Sequence, residues 1–233
     1  MAISNDSRAR IKKAFEPIAL GMGRLGLTPD ALTLIGFAIT VVGAVLVAMQ
    51  LWLPGGVVIL VGGVFDMFDG TLARATGKVS NLGAFMDAVF DRAGEVIVYI
   101  GIVIGSVAVG FTEAAVLAAA AMGAAVMVSY TRAKAEGLGF ATGTGMAAVG
   151  IMPREVRLVI LSLSLIIAGS AAGPLFLVAE PGATCIESCI EPAGLLVLAG
   201  LGIITVGATI TTIQRILHVR NQARTQATQT HQS

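Results

Sequence analysis

The sequence predicts an all-α membrane protein with six transmembrane helices and an N-terminal amphipathic helix at the membrane interface. Hydrophobic residues make up 56% of the 233-residue chain and charged residues only 12%, too little polar surface for a soluble domain of this length. The apolar residues also fall into runs of about 20, the length that crosses a bilayer core. The six predicted spans are 31–53, 55–75, 82–109, 113–133, 156–178 and 193–214.

The segment before the first span predicts a helix that lies in the interface. Apolar residues recur there at helical spacing and basic residues flank them, so the apolar face would rest on the membrane. The apolar positions are Ile11, Phe15, Ile18, Met22 and Leu25. We predict a cytoplasmic interfacial helix over 1–27. Thr28 and Pro29 then indicate the start of the first span, as N-cap and first helical residue.

The charge distribution predicts the orientation in the membrane. With six spans and both termini cytoplasmic, all 15 Lys and Arg residues lie on or near one side of the bilayer. The opposite loops carry acidic residues, such as Glu113 and Glu180, and no basic ones. This pattern predicts a multi-pass protein of the cell membrane, with both termini inside. No stretch is basic enough for a nucleic-acid-binding surface.

Two further features concern the last third of the chain. Cys185 and Cys189 fall in the acidic outer loop, where they could form a disulfide or remain two unpaired thiols. The residues from 221 onward are rich in Gln and Thr and predict a disordered cytoplasmic tail over 221–233. A six-helix domain over 28–220 remains between this tail and the interfacial helix.

Four aspartates at the junction of the second and third spans carry the predicted chemistry. Asp66 and Asp69 are three residues apart and share a helix face, and Asp87 and Asp91 are four apart and share another. The short polar link between the spans predicts antiparallel neighbouring helices, so the four carboxylates would converge near the cytoplasmic surface. Ionisable groups at membrane depth are costly and usually functional.

The carboxylate cluster predicts one or two divalent cations. An all-oxygen ligand set suits Mg²⁺ or Mn²⁺ rather than zinc or copper, and two ions can clamp a diphosphate. Gly70 and Gly83 leave space beside the acids, and Arg74 can reach a phosphate oxygen. The alternative is a structural edge in which the acids only pair with Arg74, Lys78 and Arg92.

These residues resemble the signature of the CDP-alcohol phosphotransferase family. That signature is D-x-x-D-G-x-x-A-R, eight residues, then G-x-x-x-D-x-x-x-D, and every fixed position is matched between Asp66 and Asp91. The resemblance implies that Asp66, Asp69, Asp87 and Asp91 bind one or two Mg²⁺ or Mn²⁺ ions. It also implies that Asp91 is the catalytic base that takes the proton of the acceptor hydroxyl.

The resemblance further implies a site for the CDP-linked lipid and a typical assembly. Family members are usually homodimers whose active site opens to the cytoplasm, and their products are a phosphodiester-linked lipid and CMP. The implied CDP-lipid-binding residues are Asp30, Ala31, Leu32, Thr33, Gly70, Arg74 and Ser80.

Basic residues beyond the signature resemble those of phosphatidylinositol phosphate synthases, a branch of this family. The stretch 129–136, S-Y-T-R-A-K-A-E, is similar to their S-Y-x-K-A-R-A-E, and Arg154-x-x-Arg157-Leu158 is similar to R-P-E-R-L. The implied acceptor-phosphate residues are Arg132, Lys134, Arg154 and Arg215. The implied reaction transfers a phosphatidyl group from CDP-diacylglycerol to inositol phosphate, a step of phospholipid biosynthesis.

Other functions fit parts of the pattern. The same chemistry could use glycerol phosphate as acceptor, CDP-inositol as donor, or an archaeal-type CDP-lipid. A metal-ion transporter is a distant alternative, because its ionisable residues would lie near the bilayer midplane rather than at one edge. A structural scaffold explains neither the clustered acids nor the space around them.

Overall fold

Six long helices form the framework of the described residues. The structure is a computed structural model and describes residues 17, 18, 20–140, 146, 149–171 and 186–230. The helices are α1 (Pro29–Ala48), α2 (Trp52–Thr76), α3 (Asn81–Ala108), α4 (Thr112–Gly137), α5 (Arg154–Ala171) and α6 (Ile186–Thr230). The predicted all-α class is therefore confirmed.

The chain is a multi-pass membrane protein. Among the described residues, four helical stretches are long and apolar enough to cross a membrane, namely Pro29–Ala48, Trp52–Thr76, Thr112–Gly137 and Ala193–Gln226. α3 and α5 coincide with the other two predicted spans, but they carry several charged residues near their N-terminal ends. The count of six spans stays a prediction.

The predicted disordered tail is wrong over most of its length. α6 continues without interruption to Thr230, so residues 221–230 are helical. The Gln, Ala and Arg residues of this segment have good helix propensity, and an existing helix extends without a new nucleation cost. Most of the predicted interfacial helix lies outside the described residues, although 20–24 are helical. Cys185 lies outside them too, and the disulfide stays untested.

Residues at the helix ends fix the reversal of the chain between α2 and α3. Gly77 follows α2 with a φ of +68°, in the left-handed region that glycine adopts without strain. Ser80 then caps α3, its hydroxyl accepting a hydrogen bond from the Gly83 N–H at 2.9 Å. This short turn places the C-terminal end of α2 beside the N-terminal end of α3.

α1 packs against both α2 and α3. The sequence predicts that α2 and α3 are direct neighbours, but in the described residues each has its closest packing with α1. Glycines permit this approach, since a Cβ on Gly43 would lie 3.2 Å from the carbonyl oxygen of Gly55 in α2. Elsewhere α5 packs against α2 and α6, and α4 against α3 and α6.

Candidate active site

The cytoplasmic ends predicted for α2 and α3 bring the four aspartates together. Asp66 and Asp69 lie in the last three turns of α2, and Asp87 and Asp91 in the first three turns of α3. Asp69, Asp87 and Asp91 each interact electrostatically with Asp66, and Asp87 interacts with both Asp69 and Asp91. The predicted convergence of the carboxylates is therefore present, with α1 packed beside both pairs.

A guanidinium group lies between two of these carboxylates. Arg154, the first residue of α5, donates from Nη2 to Asp66 Oδ2 at 2.7 Å and its Nη1 lies 2.6 Å from Asp91 Oδ1. Its third donor, Nε, is buried and has no hydrogen-bond partner among the described residues. Arg92 approaches the other oxygen of Asp91 at 3.4 Å. Arg154 thus links the two acid-bearing helices through charge.

Asp69 is engaged differently from the other three acids. Its side chain is 5% exposed. Oδ2 accepts a hydrogen bond from the Thr33 hydroxyl of α1 at 2.6 Å, and Oδ1 accepts one from the backbone N–H of Gly70. The predicted nucleotide-binding segment at the start of α1 is therefore tied directly to the carboxylate cluster.

The carboxylates form a donor set that fits a divalent cation, although they are not closed around one position. Among the residues that the structure describes, no three acidic, His or Cys side chains are arranged to hold a metal ion as they stand. The guanidinium of Arg154 takes the place of a cation between Asp66 and Asp91. The absence of a side chain at Gly36 also preserves this space, because a Cβ there would lie 2.6 Å from Asp66 Oδ1.

The residues predicted to bind the CDP-lipid gather at three helix ends. A Cβ on Gly83 would lie 3.1 Å from Asp30 Oδ1 and 3.0 Å from Ser80 Oγ, which brings the starts of α1 and α3 together. The Arg74 guanidinium lies over Gly70, with Nη1 3.3 Å from a Cβ placed there.

Two residues of the same α1 segment differ in exposure. The Leu32 side chain is fully buried in a cluster with Phe68 and Leu72, and its backbone N–H donates to the Thr28 carbonyl oxygen at 3.1 Å. Ala31 is half-buried.

The predicted acceptor residues are not all in one place. Arg154 alone contacts the carboxylates. Arg132 on α4 forms an exposed ion pair with Glu136 at 2.9 Å, and Lys134 is exposed on the same helix. Arg215 on α6 is 4% exposed and donates to the carbonyl oxygens of Val149, at 3.0 Å, and Val128. The charges of Arg132 and Arg157 repel that of Arg215, so the three guanidinium groups contribute to one region of positive potential.

One charged pair beside the site was not among the residues predicted from the sequence. Arg157 is 1% exposed, and its guanidinium binds both carboxylate oxygens of Glu95, each at 2.7 Å. Glu95 follows Asp91 by four residues, so the spacing of Asp87, Asp91 and Glu95 along one face of α3 was a signal that could have found it.

Comparison with known proteins identifies relatives over most of the chain. The family model of CDP-alcohol phosphatidyltransferases matches residues 26–180. The chain is 36% identical over 157 residues to the archaetidylinositol phosphate synthase of Pyrococcus horikoshii, covering 67% of this chain and 79% of that protein. It is 34% identical over 210 residues to the phosphatidylinositol phosphate synthase of Mycobacterium marinum, covering 89% and 82%.

Solved structures are similar in fold as well. The crystal structure of the Mycobacterium tuberculosis phosphatidylinositol phosphate synthase with CDP-DAG bound gives a TM-score of 0.70 at 28% identity, covering 89% of this chain and 94% of that one. The same protein in complex with manganese and citrate gives 0.69 at 29% identity, covering 88% of both. The Mycobacterium tuberculosis protein therefore binds a divalent metal ion as well as CDP-DAG.

Proposed function

Because the chain belongs to the CDP-alcohol phosphatidyltransferase family, we propose that it transfers the phosphatidyl group of CDP-diacylglycerol to inositol phosphate, forming phosphatidylinositol phosphate and CMP. The observation that carries this proposal is the contact of Arg154 with both Asp66 and Asp91. This contact places Arg154, which is proposed to bind the acceptor phosphate, beside Asp91, the proposed base. The names of the relatives share inositol phosphate as the polar part of the product, although their lipids differ.

Asp66, Asp69, Asp87 and Asp91 are the proposed ligands of one or two divalent ions, Mg²⁺ or Mn²⁺. Carboxylate oxygens suit these hard cations, and the place between Asp66 and Asp91 already holds positive charge in the form of Arg154. When bound, the metal would neutralise the diphosphate of the donor and stabilise the oxygen that leaves with CMP. Arg154 would have to move off the carboxylates to make room.

Asp91 is the proposed general base. It lies next to Arg154, so an acceptor whose phosphate is bound by that guanidinium would present a hydroxyl close to the Asp91 carboxylate. Asp91 takes the hydroxyl proton as the acceptor oxygen bonds to the lipid-linked phosphorus. The bond from that phosphorus to the CMP oxygen breaks, and CMP leaves with the electron pair.

The ends of α1, α2 and α3 are the proposed site for the CDP moiety. Asp30 and Ser80 meet beside Gly83, Ala31 and Leu32 follow in the first turn of α1, and Thr33 reaches the acid cluster through Asp69. The guanidinium of Arg74 lies over Gly70 and is exposed, so it is available to a phosphate oxygen.

Four basic residues are proposed to bind the acceptor phosphate, and their contributions differ. They are Arg154, Arg132, Lys134 and Arg215. Arg154 has an unpartnered buried donor, and Arg132 is held only by an exposed ion pair, which a phosphate can replace at small cost. The Arg215 guanidinium already donates hydrogen bonds to two backbone carbonyls, so it would act on the acceptor phosphate mainly through its positive electrostatic potential. Phosphate recognition by several guanidinium groups favours a phosphorylated alcohol over a neutral one.

We also propose that the protein is a homodimer in the cell membrane, with both termini and the active site on the cytoplasmic side. The one-sided distribution of Lys and Arg along the chain supports the orientation, whereas the homodimer rests on the resemblance to the family. The domain limits at 28 and 220 remain predictions.

The experiment that tests the function is CMP release by the purified protein in detergent with CDP-diacylglycerol and Mg²⁺. Inositol phosphate, inositol and glycerol phosphate are compared as acceptors, and an archaeal-type CDP-lipid is compared as donor. CMP release that requires inositol phosphate supports the proposal. Release only with glycerol phosphate would retain the chemistry but reject the acceptor, and a strong preference for the archaeal-type lipid would reject the donor.

A further inference from the structure

A buried ion pair joins α3 to α5 one turn away from the proposed catalytic residues. Arg157 Nε lies 2.7 Å from Glu95 Oε1, and Arg157 Nη2 lies 2.7 Å from Glu95 Oε2. The third group, Nη1, donates to the carbonyl oxygen of Met152 at 3.0 Å. Each of the three guanidinium nitrogens thus has a partner within the protein, and the residue is only 1% exposed.

This pair lies one helical turn further along than the contact of Arg154 with Asp91, and it joins the same two helices. Asp91 and Glu95 are four residues apart on one face of α3, and Arg154 and Arg157 are three apart on one face of α5. The helices are therefore bridged twice, by Arg154 with Asp91 and by Arg157 with Glu95. The first bridge must open during turnover, because Asp91 has to receive a proton and Arg154 has to receive a phosphate. The second has no such role.

Side-chain contacts, rather than close packing of the two helices, determine the position of α5 relative to α3. α5 packs closely against α2 and α6. Between it and α3 lies a cavity whose lining includes Glu95, Tyr99, Arg154 and Arg157. Long charged side chains bridge this space, so a change in the Arg157–Glu95 pair would alter the position of the first turn of α5.

The segment before α5 is also held from its other side. The backbone N–H of Met152 donates to the Thr211 hydroxyl of α6 at 3.0 Å, while the Met152 carbonyl accepts from Arg157. Met152 is therefore fixed between α6 and the ion pair, two residues before Arg154. Besides the contacts of Arg154 with the two aspartates, the start of α5 is thus held through Thr211 on one side and through Arg157 on the other.

Stability alone gives little reason for a charged pair at this place. Desolvation of the buried arginine and the largely buried glutamate offsets much of their attraction, and apolar residues of similar volume are often as stable. What an apolar pair cannot supply is direction, because the planar guanidinium meets a carboxylate in one bidentate geometry.

We propose that Glu95 and Arg157 are positioning residues, which hold the first turn of α5 so that Arg154 remains aligned with Asp91 while it exchanges the carboxylates for the acceptor phosphate. This inference rests on the proposed function. Neither residue touches the reacting atoms. Their effect is on the affinity for the phosphorylated acceptor and on its alignment.

The test uses the full-length protein in detergent and a double variant, Glu95→Leu with Arg157→Leu, which removes both charges together. Melting temperature, kcat, the KM for inositol phosphate and the KM for CDP-diacylglycerol are measured. We expect the acceptor KM to rise about 10- to 100-fold, as for a misaligned binding group, while the donor KM changes less than about twofold.

Two further variants keep the test decisive. Leu165→Ala opens a buried apolar site on the same helix away from the pair, and it is chosen to lower stability without moving Arg154. Arg157→Lys keeps the charge but loses the bidentate contact, and it serves if the double variant does not fold. We expect the acceptor KM to be unchanged in Leu165→Ala and raised in Arg157→Lys.

An unchanged acceptor KM in the folded double variant, or in Arg157→Lys, would overturn the positioning role. An equal rise in Leu165→Ala would do the same, because it would show a general effect of destabilisation. Inositol phosphate binding is also measured by calorimetry without donor. Wild-type protein that neither turns over nor binds inositol phosphate would overturn the proposed function itself, whereas an active wild type with indifferent variants overturns only the positioning.

Discussion

The Nη2 atom of Arg154 lies 2.7 Å from Oδ2 of Asp66, across 88 residues of sequence. The same guanidinium reaches Asp91 at 2.6 Å. A group that the sequence indicates as a ligand for the acceptor phosphate thus occupies the space proposed for a metal ion. A metal ion bound at the proposed place would compete with the guanidinium for these two carboxylates, and this competition leads to the first prediction.

Replacement of Arg154 by Ala should weaken the binding of the acceptor and strengthen the binding of the metal ion. The acceptor KM should rise about 100-fold, because a charge-assisted phosphate contact is lost. The apparent Kd for Mn²⁺ should fall, because the competing guanidinium is gone. Steady-state kinetics and Mn²⁺ titration measure the two effects. Arg24→Ala, an exposed basic residue before α1, is the charge-matched control and should change neither. A weaker affinity for Mn²⁺ in Arg154→Ala would contradict the competition.

Replacement of Asp91 by Asn should nearly abolish turnover. The amide cannot accept the proton of the acceptor hydroxyl, and loss of a general base lowers the rate by about 10²- to 10⁴-fold. Single-turnover CMP release measures the rate, and binding of CDP-diacylglycerol should be largely retained. Glu113→Gln, in the first turn of α4, is the matched control for loss of an acid. Retention of full activity in Asp91→Asn would show that another group is the base.

Chelation of divalent metal should abolish CMP release and lower thermal stability. Four carboxylates without a cation repel one another, and a ligand that binds only the folded state stabilises it in proportion to the logarithm of its concentration. Mg²⁺ or Mn²⁺ added back should restore activity and raise the melting temperature. The rise should be much smaller in Asp66→Asn, which removes one proposed ligand. An equal rise in that variant would place the ion elsewhere.

Replacement of Gly36 by Ala should damage the site although it adds only a methyl group. The new Cβ would come 2.6 Å from Asp66 Oδ1, so that carboxylate or α1 must move. We expect at least about a tenfold loss of kcat/KM, comparable to other small displacements of catalytic groups. Gly123→Ala in α4 is the matched control, since a Cβ there meets nothing within 4 Å. It should stabilise the protein by about 0.5–1 kcal/mol through helix propensity. Thermal unfolding and kinetics of both variants provide the comparison, and equal kinetics would remove Gly36 from the site.

The four aspartates illustrate how far local spacing carries a prediction. Intervals of three and four residues put Asp66 with Asp69, and Asp87 with Asp91, on single helix faces, because that periodicity belongs to any α-helix. The short link then brought the two pairs to one end of the molecule. Spacing could not show that α1 packs against both helices, since this depends on glycine contacts between residues far apart in sequence.

The C-terminal segment shows the opposite case. Its polar composition predicts disorder, yet residues 221–230 continue α6. Composition describes how little apolar surface a segment can bury, but it does not register that a long helix already precedes it and can be extended one residue at a time.

The sequence by itself determined the all-helical membrane class, the capped start of α1, and the faces on which the acidic residues lie, because each follows from hydropathy, capping preference or helix periodicity over short stretches. Only the tertiary structure decided that Arg154 contacts both Asp66 and Asp91. The same is true of the ion pair between Arg157 and Glu95, and of the hydrogen bond from the Arg215 guanidinium to a backbone carbonyl. These contacts join residues on different helices, and they depend on how the helices pack, which no local pattern specifies.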